Sequence, residues 1–121
     1  MRELKATERS AVLAMARVVG DASQREQLLR DLEHCHVELI SPDGGCLIFH
    51  IDGYDRPHPC GQDTFRGEDK FPVEGVAMDK DGSRIMVYLY SDPNRRVLEL
   101  ELVKISADST LNPDWSTFEL T

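Results

Sequence analysis

The residue types that most often bind zinc are concentrated in one part of the chain. All of its histidines and cysteines lie between positions 34 and 60: His34, Cys35, His36, Cys46, His50, His58 and Cys60. A structural zinc site needs about four such ligands converging as a tetrahedron. Neither C-x-x-C nor H-x-x-x-H occurs among them. A zinc site is therefore the alternative hypothesis, and buried thiols with solvent-facing imidazoles are the simpler one, with no metal and no cofactor.

Sequence motifs for catalysis are absent. The chain has no G-x-S-x-G, H-E-x-x-H, P-loop or G-x-G-x-x-G pattern. Glu99 and Glu101 share one face of a predicted strand, as two glycosidase carboxylates could, but any alternating strand produces such a pair. His58 and Cys60 are separated by a proline and have no third group to orient them. We therefore expect a protein that is not an enzyme.

Alternating residues from 83 to 105 predict a β-hairpin around a turn at Asp92-Pro93-Asn94-Arg95. Pairing Ser91 with Arg96 across a four-residue loop makes one face of the hairpin apolar. The predicted facing pairs are Leu89 with Leu98, Val87 with Leu100, and Ile85 with Leu102. A slip of one residue would place glutamates on that face, so the register is expected to be firm.

The other face of this hairpin is the predicted binding surface. It carries Met86, Tyr88, Tyr90, Val97, Glu99, Glu101 and Val103. Tyrosines with a charged rim are typical of protein interfaces, although tyrosines also suit any strand. We predict that Tyr88, Tyr90, Glu99 and Glu101 bind a partner, with Glu99 opposite Tyr88 and Glu101 opposite Met86.

Two helices are expected before the sheet. Apolar residues at helical spacing predict the first over 7–19, with Thr7 as its cap. Ser23 and Glu26 fit a capping box that opens a second helix running to about His34. Both helices are short, so they require an apolar surface on which to dock.

Strands follow the helices. Residues 35–40 and 46–51 predict a hairpin with His36 opposite His50, and 52–70 are irregular. A third strand over 71–78 has two open registers: one buries Val76 and Met78, the other Val73 and Ala77. The tail from residue 106 resembles a loop whose Trp115, Phe118 and Leu120 pack on the core. We predict an α+β fold in one domain, 1–121, with two N-terminal helices packed on one face of a roughly five-stranded antiparallel sheet.

Charge limits the classes of partner. The formal net charge is −8, which disfavours nucleic acid and anionic membranes. No apolar run is long enough to span a membrane, and the first residues lack the apolar segment of a signal peptide. We expect a cytoplasmic protein with reduced thiols. Its expected partner is a basic protein or a second copy of the chain.

Four sequence segments together resemble a known family. They are Arg2, Leu4 and Glu8; Asp43-Gly44-Gly45 with Leu47 and Phe49; Asp79 to Gly82; and Leu98-Glu99-Leu100-Glu101 with Lys104. This combination is similar to a small bacterial family of α+β domains of unknown function. Val103 departs from the pattern, which tends to have tryptophan before the lysine. The resemblance implies a bacterial origin and a compact α+β domain, and it implies no chemistry.

Two functional hypotheses remain from the sequence. The first is a non-enzymatic protein-binding domain that uses the tyrosine-bearing sheet face, with an immunity-type role against a basic toxin as one form. The second is a small zinc-binding protein that uses the histidines and cysteines between positions 34 and 60.

Overall fold

The chain folds into two helices and an antiparallel sheet. The computed structural model describes residues 1–41, 44–57, 69–106, 108 and 110–121. Its elements are α1 (Ala6–Arg17), α2 (Ala22–Glu33), β1 (Cys35–Leu39), β2 (Cys46–Ile51), β3 (Asp69–Asp79), β4 (Arg84–Ser91), β5 (Val97–Ile105) and β6 (Pro113–Leu120). The strands form one sheet in the order β1-β2-β5-β4-β3-β6. The α+β prediction is confirmed, but the described residues form six strands rather than five.

Both helices begin earlier than the sequence predicts. Lys5 immediately precedes α1. The backbone N–H of Lys5 donates a hydrogen bond to the Glu8 carboxylate at 2.8 Å. Thr7 lies inside the helix, so its predicted role as a cap is wrong. Asp21 caps α2, so the capping box predicted at Ser23 is wrong as well. Aspartate is as good an N-cap as serine, and here it comes first along the chain.

The central hairpin keeps its predicted faces but not its predicted register. Leu89 pairs with Leu100, Val87 with Leu102, and Tyr88 with Glu101. Each partner lies two residues farther along β5 than predicted. Because side chains alternate with a period of two, this shift leaves them on the same faces.

The turn of this hairpin explains the shift. The Asp92 carboxylate accepts hydrogen bonds from the backbone N–H of Asn94 at 2.9 Å and of Arg96 at 3.0 Å. Arg95 has φ 61, so the turn includes a residue in the left-handed region and is one residue longer than predicted. A β-bulge beside Ser91 adds the second residue. The bulge also turns Val97 into the core, where it is fully buried, so its predicted place on the binding surface is wrong.

The first hairpin and the third strand have registers that the sequence predicts. In the first hairpin His36 pairs with His50, which confirms that register. In the third strand the alternative that buries Val73 and Ala77 is correct. Gly82 makes it possible, since its φ of +91 closes the three-residue loop between β3 and β4.

One apolar cluster joins the helices to the sheet. Its largest fully buried members include Met15, Leu28, Leu32, Phe49, Phe71, Ile85, Leu89 and Leu100. Contacts run from α1 to β3 and β6, and from α2 to β5. We call the side of the sheet that carries Phe49, Leu89 and Leu100 the inner face, and the opposite side the outer face. None of the described helices is both long and apolar enough to cross a membrane.

The sequence predicts a loop from residue 106 onward, but Pro113–Leu120 forms strand β6, which pairs with β3. Trp115 and Phe118 pack against the core cluster, as predicted, with ring centroids 6.4 Å apart. Leu120, by contrast, is 42% exposed. Gly75 permits the close approach of β6, because a Cβ at this position would overlap the Phe118 ring.

Candidate interaction surface

The outer face is built from cross-strand rows of side chains. Read from β3 through β4 to β5, the rows are Met78–Arg84–Ile105, Val76–Met86–Val103, Glu74–Tyr88–Glu101 and Lys70–Tyr90–Glu99. Neighbouring side chains in a row lie close enough to act together. The face therefore has a largely apolar end, which also carries Arg84, and an end that combines tyrosines with charges. We call the first the apolar end.

Three of the four predicted binding residues form a contact at the polar end. Tyr88 lies opposite Glu101, and Tyr90 lies opposite Glu99, so the predicted opposites are each displaced by two residues. The Tyr90 hydroxyl donates a hydrogen bond to the Glu101 carboxylate at 3.0 Å. Burial, this hydrogen bond and the negative charge of Glu101 together raise the pKa of Tyr90 to about 12. Tyr90 is therefore neutral at physiological pH, and it holds Glu101 in place.

Glu99 differs from the other predicted binding residues because it is buried, with 1% of its surface exposed. Its cross-strand neighbours are Tyr90 on β4 and Ile48 on β2. A carboxylate at this depth cannot contact a second protein unless the surrounding side chains rearrange. Strand alternation predicts which face Glu99 shares, but not how deeply it lies.

Lys70 completes the polar end. Its ammonium lies 4.8 Å from the centre of the Tyr88 ring and 2.6 Å from the Glu74 carboxylate. The first distance is within the range of a cation–π contact. Lys70 thus neutralises Glu74 and orients Tyr88. Glu101 is then the partly exposed acidic group beside the two tyrosines, and Glu99 is the buried one.

The sequence predicts only part of the apolar end of the outer face. Met78 is 36% exposed, Val103 38% and Ile105 61%. Met86 and Val76 lie between them and are half-buried. Alternation along β5 would have placed Val103 and Ile105 together, but only the register across three strands shows that they join Val76 and Met78 in one patch.

The described histidines and cysteines do not converge on a metal. His36 contacts the Asp52 carboxylate at 3.2 Å, and His50 contacts Glu38 at 2.9 Å. Cys35 and Cys46 are buried thiols. Within residues 1–41, 44–57 and 69 onward, as far as the structure describes them, no three histidine, cysteine or acidic side chains are placed to bind a metal ion. His58 and Cys60 lie outside the described residues.

A buried polar network lies at the turn between β4 and β5. The Asp92 carboxylate accepts hydrogen bonds from the Tyr54 hydroxyl at 2.6 Å and from Arg56 at 2.8 Å. The Arg56 guanidinium also donates to the backbone carbonyls of Phe49 and Val97. Burial and the Asp92 hydrogen bond raise the pKa of Tyr54. The network therefore ties the segment after β2 to the central hairpin.

Arg96 extends this network to α2. It donates to both carboxylate oxygens of the buried Asp31, at 2.9 Å and 2.8 Å, and its guanidinium lies 4.2 Å from the centre of the Tyr54 ring. Each polar group here has a partner, which is the arrangement expected of a structural cluster. The sequence identified Asp92 only as a turn residue, since the arginines that reach it are distant in the chain.

The described architecture is that of a small α+β domain with an apolar inner sheet face and a mixed apolar and acidic outer face. A family model described as "Domain of unknown function (DUF6984)" matches residues 1–112, and the chain belongs to this family. The matched residues end just before β6. No curated protein and no solved structure matches the chain. The predicted membership in a family of unknown function is confirmed.

Proposed function

We propose that this protein is a non-enzymatic binding domain whose outer sheet face holds a basic protein partner. The observation that carries the proposal is an apolar patch of Val76, Met78, Met86, Val103 and Ile105, which surrounds Arg84 and borders the acidic tyrosine row. Met78, Val103 and Ile105 are the exposed members of this patch. Exposed apolar patches rimmed by polar groups are typical of interaction sites. The apolar side chains would supply contact area, and Tyr88 would supply an aromatic anchor beside them.

The charges of the outer face favour a basic partner. Glu119 lies opposite Val76, and Glu101 lies in the row next to Val76–Met86–Val103. Neither glutamate takes part in an ion pair between described residues. Glu74 is neutralised by Lys70, and Arg84 is the remaining cation of the four rows. Together with the net charge of −8, this arrangement would attract lysines and arginines. The acidic groups would act mainly on the association rate and on its salt dependence.

The same charges disfavour a homodimer through this face. A two-fold axis would bring Glu101 and Glu119 of one copy toward the same residues of the other. Like charges at an interface are repulsive, and the apolar patch is bordered by them. We therefore expect a monomer of 13.7 kDa by light scattering, and a dimer that dissociates in Val103→Asp would contradict this preference.

The pKa shifts of three described groups fit a non-enzymatic role. Burial raises the pKa of Cys35 to about 11, and the pKa of Tyr90 is raised to about 12. A hydrogen bond from Lys104 lowers the pKa of Asp81 to about 2. Acid–base catalysis at neutral pH favours groups whose pKa is shifted toward 7, and these three pKa values are shifted away from it.

A toxin with a basic surface would be a partner of the proposed kind, so an immunity-type role is one form of this function.

The proposal can be tested with one matched pair of substitutions. Val103→Asp places a charge in the apolar patch, and Val18→Asp places the same charge at the end of α1, where Val18 is 53% exposed. Immobilised wild type and both variants would be incubated with a bacterial lysate, and bound proteins would be quantified by mass spectrometry at low and high salt.

We expect one basic protein to be retained by the wild type and by Val18→Asp, and to be released by salt. Its recovery with Val103→Asp should fall by about tenfold, corresponding to about 1.4 kcal/mol. Equal recovery with both variants would show that the outer face is not the binding surface. A retained protein that is acidic, or whose binding does not respond to salt, would contradict the charge argument.

A further inference from the structure

A cavity of about 400 Å³ lies near the start of α1, on the inner side of the sheet and separate from the outer face. Leu47 and Leu102 line it, and both are buried residues of the inner face. Leu111 and Trp115 add partly buried apolar surface from the segment that enters β6. Small-molecule sites are commonly concave, mainly apolar and of this size, with a few polar groups. The cavity has this size, and its lining is divided about equally between polar and apolar surface.

One ion pair in the cavity is already satisfied. Arg2 donates to both carboxylate oxygens of Glu8, at 2.8 Å and 3.0 Å. Burial alone would raise the pKa of Glu8, but the hydrogen bonds from Arg2 and from the Lys5 backbone N–H lower it overall. Glu8 is therefore charged at neutral pH, and the two charges cancel.

Two further cations line the cavity without such a partner. The aspartates of the adjacent turn are held by Lys104, whose ammonium lies 2.7 Å from Asp81 and 3.7 Å from Asp79. Lys5 and Lys80 line the cavity and are exposed. Among the residues the structure describes, neither takes part in an ion pair. The charged side chains that line the cavity are Arg2, Lys5, Lys80 and Glu8, so they sum to two positive charges in a protein whose net charge is −8. Lys5 also attracts Glu8, and Lys80 attracts Asp114, at longer range than an ion pair.

Residues from three of the four sequence segments that carry the family resemblance line this cavity. Its lining includes Arg2 and Glu8 from the first segment of the family pattern, Gly44 and Leu47 from the second, and Lys80 from the third. Their roles in capping and in turns explain each segment alone. Their convergence on one cavity gives them a shared position in the fold.

We propose that this cavity binds a small amphipathic anion, with a carboxylate or phosphate monoester head and an apolar body. The head group would contact the ammonium groups of Lys5 and Lys80. The apolar body would lie against Leu47, Leu102 and Trp115, where it is removed from water. Such a ligand uses both features of the cavity, whereas a free inorganic anion would leave the apolar lining unused. The proposal does not depend on the function of the outer face.

The single tryptophan of the chain reports directly on this cavity. Because Trp115 lines it, a bound ligand changes the environment of the indole and hence its fluorescence emission. The folded chain would be titrated with octanoate, octyl phosphate and 1-octanol, which share the same alkyl chain. We expect saturable changes with one or both anions and a dissociation constant at least about tenfold higher for 1-octanol.

A matched pair of double variants tests the charges. Lys5→Gln with Lys80→Gln removes both cations from the cavity, and Arg17→Gln with Arg30→Gln removes the same charge from exposed helix positions. Anion affinity should fall about tenfold in the first and change by less than about twofold in the second. Circular dichroism would verify folding, and the wild-type comparison with 1-octanol needs no variant.

Each outcome bears on the proposal. Binding of only one anion supports it and identifies the head group. Equal affinity for 1-octanol, equal affinity of the two double variants, or no saturable change with either anion would overturn it. Inorganic phosphate alone should leave the Trp115 emission unchanged, and a saturable response to it would contradict the role of the apolar body.

Discussion

The two faces of β4 and β5 are made from the same strands and differ in what their side chains do. On the inner face Leu89 and Leu100 are fully buried in the core cluster. On the outer face their neighbours Tyr88 and Glu101 are half-buried, and Val103 is 38% exposed. Burial of the inner face accounts for folding, so the apolar side chains of the outer face are available for another purpose. The following predictions test this division between stability and binding.

The largest effect is expected at Asp92, which joins the hairpin to the segment after β2. Asp92→Ala removes a carboxylate with no exposed side-chain surface and leaves Arg56 without its ion-pair partner. We expect a loss of about 3–5 kcal/mol in the free energy of unfolding, measured by urea denaturation. Asp52→Ala is the control, since its carboxylate is 59% exposed, and it should change stability by no more than about 0.5 kcal/mol. Similar losses in both would show that the Asp92 network is not structural.

A second test compares the two faces within one strand. Leu100→Ala should lower the free energy of unfolding by about 2–5 kcal/mol, because it leaves a cavity in the core. Val103→Ala should lower it by no more than about 0.5 kcal/mol, since Val103 is partly exposed. Denaturant melts of both variants would measure the difference. Equal losses would mean that the outer face contributes to folding as much as the inner face does.

A third test uses pH at the cavity end of the inner face. The pKa of Glu8 is lowered in the folded state, so its contribution to stability is present above its ordinary value of 4.5. That contribution is lost as the pH falls through the lower folded-state value. Glu8→Gln should therefore be less stable than wild type at pH 7, and the difference should shrink at pH 3. A difference that is unchanged at pH 3 would exclude a contribution from the Glu8 charge.

The smallest expected effect is a change in the pKa of Tyr90, in the tyrosine row of the outer face. Absorbance titration should show Tyr90 ionising at about 12, because it is partly buried and hydrogen-bonded to Glu101. Tyr54→Phe with Tyr88→Phe removes the other tyrosines and isolates this signal. In that background Glu101→Gln should lower the pKa of Tyr90, since it removes an adjacent negative charge. Ionisation of Tyr90 near its ordinary value of 10 would contradict the contact.

Local patterns predicted the faces of the sheet better than its register. Alternation placed Leu89 and Leu100 in the core correctly, because a one-residue slip would bury glutamates. The register differed by two residues because Asp92 stabilises a longer turn and a bulge follows it. Neither feature has a periodic signal. The chain end was predicted as a loop because the pairing of β6 depends on the distant Gly75.

The candidate site was predictable only as a list of residues on one face. Tyr88, Tyr90 and Glu101 meet as neighbours because strand alternation is reliable over short distances. The burial of Glu99 depends on its three-dimensional surroundings, so alternation along the strand could not predict it. The apolar patch requires β3, β4 and β5 in register, and that information is not local. Cys60 lies outside the described residues, whereas Cys35 and Cys46 are buried as expected.

The most direct test of the central claim is to locate the surface that a captured basic partner contacts. Methyl resonances of wild-type protein would be recorded by NMR as this partner is added. We predict shifts at Met78, Met86, Val103 and Ile105 on the outer face, with the methyls of Val18 and Leu39 unchanged as exposed controls. Shifts confined to Val18 or Leu39 would contradict the account, because they would place binding away from the outer face.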